Sequence, residues 1–135
     1  MISIDSSSSV SPVEQIRSQI AARIRAGQLA ADTRLPPVRQ LAADLRVAPG
    51  SVAKAYKELE KAGLIRTKRA AGTRVNPGHT STEPLIKTVG DLAHRAIQEG
   101  LSLRETQDLL AHAWTQLHQE PSSRPNPDDP PTPSR

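Results

Sequence analysis

Lys54, Lys57 and Lys61 follow one another at steps of three and four residues, so on a helix they share a face; Lys68 and Arg69 stand together a little downstream. Cations in such a row suit a row of anions, such as nucleic-acid phosphates, better than any single reaction. The other residues able to do chemistry do not converge. Of His79, His94, His112 and His118, the last two are six apart and fall on opposite sides of a helix, whereas metal-ligand pairs favour steps of three or four. There is no phosphate-cradling glycine loop, no paired-carboxylate motif and no Ser/His/Asp arrangement. No metal site, no cofactor and no enzymatic activity is expected. Trp114, one of only two large aromatic residues, reads as a packing residue.

The 135 residues hold one full domain and a small appendage. The absence of cysteine excludes disulfides, thiolate metal sites and thiol redox sensing. No stretch approaches the roughly 20 apolar residues that span a bilayer. The opening lacks the basic start and apolar run of a signal peptide. A cytoplasmic protein with no membrane partner is therefore expected. The net charge of +4 is uneven: residues 1–79 carry 13 Lys/Arg against 6 Asp/Glu (+7), and residues 80–135 carry 5 against 8 (−3). The first part is the candidate polyanion binder.

The apolar pattern supplies the elements that position these groups. Residues 1–10, serine-rich and without periodicity, read as a flexible arm. Ser11-Pro12-Val13-Glu14 has the form of a capping box, and Val13, Ile16, Ile20 and Ile24 stripe a first helix from about 12 to 26, closed by Gly27. Pro36-Pro37 permits a second helix over Val38–Leu45, and Pro49 opens a third that ends at Ala62-Gly63. Leu64 to Lys68 and Thr73 to Val75 alternate like paired strands around Arg69-Ala70-Ala71-Gly72. The expected architecture is mainly α: three helices and a β-hairpin wing form a winged helix-turn-helix over residues 11–78. Helix three is placed to enter a major groove, while Leu41, Val47, Val52 and Tyr56 pack the core.

Residues 12–75 resemble the winged helix-turn-helix of the GntR family of bacterial regulators. Leu35-Pro36-Pro37-Val38-Arg39-Gln40-Leu41-Ala42 is similar to the family's Leu-Pro-Ser-x-Arg-x-Leu-Ala. Val52 to Glu60, Gly63-Leu64-Ile65 and Gly72-Thr73-Arg74-Val75 keep the family's order. The resemblance implies a double-stranded DNA operator as partner and Arg39 as a DNA-contacting arginine, suited to a phosphate or to the O6/N7 edge of guanine. It implies that Pro49, Gly50 and Ser51 present the start of helix three to a phosphate, with Lys54 and Lys57 continuing that face. Lys68, Arg69, Gly72 and Thr73 would serve from the wing. Pro37, Gly50 and Ala70 depart from the family's usual Ser, Asn and Gly, so the operator need not follow that of relatives. Arg46 stands where many such turns have Gly.

After a linker at 79–84, residues 85–120 carry two further helical stripes. Gly90 is a weak point in the first, Gly100 closes it, and Ser102 to Glu105 again has capping-box form. The resemblance here is to the YtrA-type subgroup, whose short C-terminal helices pair two chains. It implies a homodimer seam at Leu85, Val89, Leu92, Ala96, Leu109, Leu110, Ala113, Trp114 and Leu117, and a repressor binding a palindromic operator. A small-molecule effector has room in this scheme, but the sequence does not identify one. The rival reading is a winged-helix protein-interaction module that does not itself read DNA. Residues 121–135, Pro-rich and polar, read as a disordered tail.

Overall fold

The computed structural model of the protein describes residues 2–119, so the expected Pro-rich tail lies outside the described residues. The elements are α1 (Pro12–Arg25), α2 (Val38–Leu45), α3 (Pro49–Lys61), β1 (Ile65–Lys68), β2 (Gly72–Val75), α4 (Glu83–Gln98) and α5 (Leu103–Gln119). This is the mainly helical winged arrangement that the apolar pattern predicts. The chain divides into two compact units, Met1–Ile86 and Lys87–Arg135, with the division inside α4.

In the first unit, Ile16, Ile20 and Ile24 turn one face of α1 onto α3. They share a core with Leu35, Leu41, Ala42, Val52, Ala55, Leu59, Leu64, Ile65 and Val75. The small Ala42 and Ala55 let α2 and α3 approach closely. Tyr56 closes the core, its hydroxyl donating to the Pro36 carbonyl at 2.6 Å. Burial pushes this phenol up to about 12. An unfolded tyrosine ionises near 10. The folded state therefore resists losing the proton, so this stability is complete below about pH 10 and falls by about 2 kcal/mol as pH rises to 12. Urea titrations across that range are expected to show the loss in the wild type and not in the Tyr56→Phe variant.

Helix ends explain the tight turn between α2 and α3. Arg46 caps α2 in the left-handed region, at φ 57 and ψ 45. Its side chain forgoes the freedom that glycine would have there. Arg46→Gly is expected to stabilise the fold by up to about 1 kcal/mol, the relieved strain exceeding the added entropy of the unfolded glycine. The readout is a higher urea midpoint at unchanged slope.

The two capping boxes differ. At α5 both halves form: the Ser102 hydroxyl accepts from the Glu105 N–H and Glu105 Oε1 accepts from the Ser102 N–H, each at 3.1 Å. These bonds hold the Glu105 carboxyl below its usual range. At α1 only the serine half forms, at 3.2 Å from Glu14 N–H to the Ser11 hydroxyl, because Glu14 turns to Arg17 instead (2.5 Å).

The serine-rich opening corrects a reading made from composition. Instead of a free arm, residues 2–5 lie along α1 as an extended strap. Gln19 takes both backbone groups of Ser3, accepting at 3.2 Å and donating at 2.7 Å. Gln15 does the same for Asp5, at 2.8 and 3.1 Å. One helical turn between Gln15 and Gln19 advances about 6 Å and two extended residues advance about 6.6 Å, so the two ladders are commensurate. Ile2 and Ile4 pack against the core from the same strap.

In the second unit, Gly100 (φ +79) ends α4, and the Leu101 N–H returns to the Ala96 carbonyl at 2.9 Å. Helix α4 begins at Glu83, two residues ahead of the sequence expectation. Helices α4 and α5 scarcely touch each other, and their apolar stripes face outward.

Candidate nucleic-acid interface

The side chains expected to meet DNA fall on three adjoining surfaces of the first unit. Arg39, the second residue of α2, is exposed and enters no ion pair among the described residues. No salt bridge forms with Asp44 further along the helix, which leaves the five guanidinium donors available. Helix α3 has no side-chain N-cap: Ala48 occupies that position and only the Ser51 N–H folds back, to the Ala48 carbonyl at 3.0 Å. Pro49 and Gly50 are exposed and Ser51 is half-buried, so the helix start is open to an anion.

The second surface is a groove of about 530 Å³ between α3 and the hairpin, lined among others by Lys54, Lys57, Glu60, Thr67 and Thr73. Thr67 and Thr73 are cross-strand partners whose hydroxyls meet at 3.1 Å. Sequence reasoning missed Glu60 and Thr67. Glu60 puts a carboxylate among the lysines, where it can accept from a cytosine amino group or repel a phosphate. Its position, one turn after Tyr56 and three residues after Lys57, was the available signal.

The third surface is the wing. Lys68, Arg69 and Ala70 are exposed at its tip, and Gly72 makes the turn at φ +71. Strand alternation places Lys68 and Thr73 on opposite faces of the hairpin, so the wing residues do not form one patch. Thr73 joins the α3 groove, while Lys68 and Gly72 line a separate pocket with Asp32, Arg66 and Arg74.

This geometry combines a helix with a cationic exposed face, an open helix start and a hairpin beside it. Residues 12–75 match the family model described as bacterial regulatory proteins, gntR family. The HTH-type transcriptional regulator Rv1152 of Mycobacterium tuberculosis is 34% identical over 99 residues, covering 73% of this chain and 82% of that protein. The chain belongs to the GntR family. The HTH-type transcriptional repressor YtrA of Bacillus subtilis is 40% identical to this GntR regulator over 82 residues, covering 61% of this chain and 63% of that protein. The solved structure of YtrA from Sulfolobus acidocaldarius, described as a GntR-family transcription factor, superposes with a TM-score of 0.50 at 29% identity. It covers 70% of this chain and 95% of that one. The GntR regulator is thus a YtrA-like, DNA-binding transcriptional regulator with a winged-helix fold, and not an enzyme.

The other expected residues of the GntR regulator lie on α4 and α5, all but Leu85 in the second unit. Leu85, Val89, Leu92, Leu109, Leu110, Ala113, Trp114 and Leu117 are all exposed, Trp114 at 64% of its surface. Ala96 is the exception. It is only 5% exposed, already covered within its own chain near the α4–α5 turn, and has little left to offer a partner. Trp114 stacks on His118 with ring centroids 5.5 Å apart. Among the described residues no cluster of His, Cys, Asp or Glu is arranged to hold a metal ion, and no helix is long and apolar enough to cross a membrane.

Proposed function

We propose that this regulator is a cytoplasmic repressor that binds a palindromic operator as a homodimer and blocks a promoter by occupying it. Arg39, the α3 start at Pro49-Gly50-Ser51, Lys54 and Lys57 engage one half-site. Thr73 joins them from the α3 groove, while Lys68, Arg69 and Gly72 engage the flank of the half-site. The observation that carries the dimer is the pair of striped helices with large apolar side chains turned to solvent, Leu92 at 41% and Leu117 at 71% exposure. Two helices of 16 and 17 residues that scarcely touch each other gain little from packing within the chain, so a second copy is the natural cover. The repressor role is supported by the likeness to the transcriptional repressor YtrA of Bacillus subtilis. A small-molecule effector, if it acts, would change the spacing of the two DNA-reading units.

Selection of binding duplexes from a random pool, followed by sedimentation of the complex, tests this reading. The expected result is an inverted repeat bound by two chains. A single unrepeated site bound by one chain would overturn it.

A further inference from the structure

The segment from Asp32 to Leu35 runs beside β2, joined to it by an isolated bridge at Arg34 and by three backbone hydrogen bonds. Asp32 N–H donates to Val75 O (2.8 Å), Val75 N–H to Thr33 O (3.0 Å) and Leu35 N–H to Thr73 O (2.8 Å). Arg34 bridges Arg74, and Arg74 pairs with Arg66, so three arginines stand side by side across β1, β2 and the segment beside them. Neighbouring strands lie about 4.8 Å apart, and like charges directly opposite each other oppose pairing. Leu35, Val75 and Ile65 fill the core from the other side. The arginines are therefore not needed for packing.

The surroundings fix these cations without neutralising most of their charge. Arg66 donates to the Val75 carbonyl (3.1 Å) and the Asn76 amide oxygen (3.0 Å), and it pairs with the Asp32 carboxylate. Arg74 donates to the Ala71 and Asp32 carbonyls, at 3.2 and 2.8 Å. The Arg34 guanidinium lies over bare Gly72, where a Cβ would come within 3.0 Å of Arg34 Nε. Lys68, opposite Gly72, completes the edge of a pocket of about 310 Å³. Arg66, Arg74 and Lys68 line this pocket with the single carboxylate of Asp32, and Arg34 lies beside it over Gly72. Arg34 and Lys68 enter no ion pair among the described residues.

We infer that this outer face of the wing sheet is a phosphoryl-binding site, with Arg34 and Lys68 as free donors and Arg66 and Arg74 as fixed positive walls. Planar guanidinium forks and an ammonium around a small pocket match the oxygens of a phosphate. The face points away from the α3 groove, so the phosphate comes either from duplex flanking the operator or from a soluble phosphorylated compound. Only the first source rests on the DNA-binding reading above.

Two measurements separate these sources. In the first, anisotropy titrations compare a selected operator duplex with the same duplex extended by about ten base pairs, roughly one helical turn, on each side. The extension is expected to tighten wild-type binding about tenfold and to steepen its salt dependence by about one unit per added phosphate contact. Arg34→Gln loses that gain yet binds the short duplex as the wild type does; Arg34→Lys retains most of it. In the second, pyrophosphate is titrated into DNA-free protein while arginine Nε–Hε NMR signals are followed. Saturable shifts that weaken about tenfold or more in Arg34→Gln support the site, a loss of the size expected for one charge-assisted contact. A length effect alone assigns the site to flanking duplex, and a pyrophosphate effect alone assigns it to a soluble phosphorylated ligand. If neither effect is seen, the inference is overturned. In that event, operator binding that still depends on Arg39 would leave the DNA-binding reading standing.

Discussion

Arg39→Ala is expected to lower affinity for the selected operator by about thirtyfold or more, because one bidentate contact of about 1–3 kcal/mol is lost in each of two half-sites. Weak binding to unrelated duplex should change little, because that depends on lysines and helix termini rather than on one fork. Folding should be unaffected: Arg39 is exposed, makes no ion pair among the described residues and lies outside the core of Ile16, Leu41, Val52 and Leu59. Arg39→Lys keeps the charge but loses the planar fork, so it should restore little of the specificity. Anisotropy titrations on matched and scrambled duplexes, with urea unfolding alongside, would check each part.

A carboxylate on the apolar face of the second unit is expected to have an effect as large. Leu92 and Leu110 are exposed in the single chain, so Leu92→Glu with Leu110→Glu adds charge to a solvated surface and leaves the winged helix folded. In a homodimer the same change buries charge against hydrocarbon on both sides of a twofold axis. Sedimentation should then show one chain where the wild type shows two. Operator affinity should fall about a hundredfold or more, because joining two half-site contacts raises avidity by that order without any new contact. Ala96→Glu would be a poor substitute for this test, since Ala96 is buried within its own chain.

Much of the fold was legible because its rules are local. The isoleucine stripe of α1, the prolines at the starts of α1 and α3, and the alternation of β1 and β2 each identify an element within a few residues. The missed features depend on pairing across the chain. The strand-like course of Asp32 to Leu35 needs β2, forty residues away, to be visible. The strap over α1 depends on Gln15 and Gln19 reaching back to Asp5 and Ser3, which a serine-rich composition conceals. In the candidate site, cations on the helix were readable from spacing. Glu60 and the arginine row became apparent only once the hairpin was placed beside α3 and against the preceding segment.

The departures from the family pattern acquire physical meaning in the structure. Arg46 adopts the left-handed turn that glycine would occupy more freely, so the turn survives at some cost in strain. Gly50 sits in open space at the α3 start, with no atom within 4 Å of a notional Cβ, so a side chain there would meet DNA before it met protein. That makes position 50 a natural place for operator preference to vary.

The most direct measurement is the affinity of the wild-type protein for its selected operator and for a scrambled duplex, each followed from about 50 to 200 mM salt. If the winged helix reads DNA, operator binding should exceed scrambled binding by about a thousandfold or more. Both should weaken steeply with salt, by about a thousandfold or more for a dimer touching at least six phosphates. Equal binding to the two duplexes, or affinity indifferent to salt, would contradict the account and favour a winged helix that meets another protein instead.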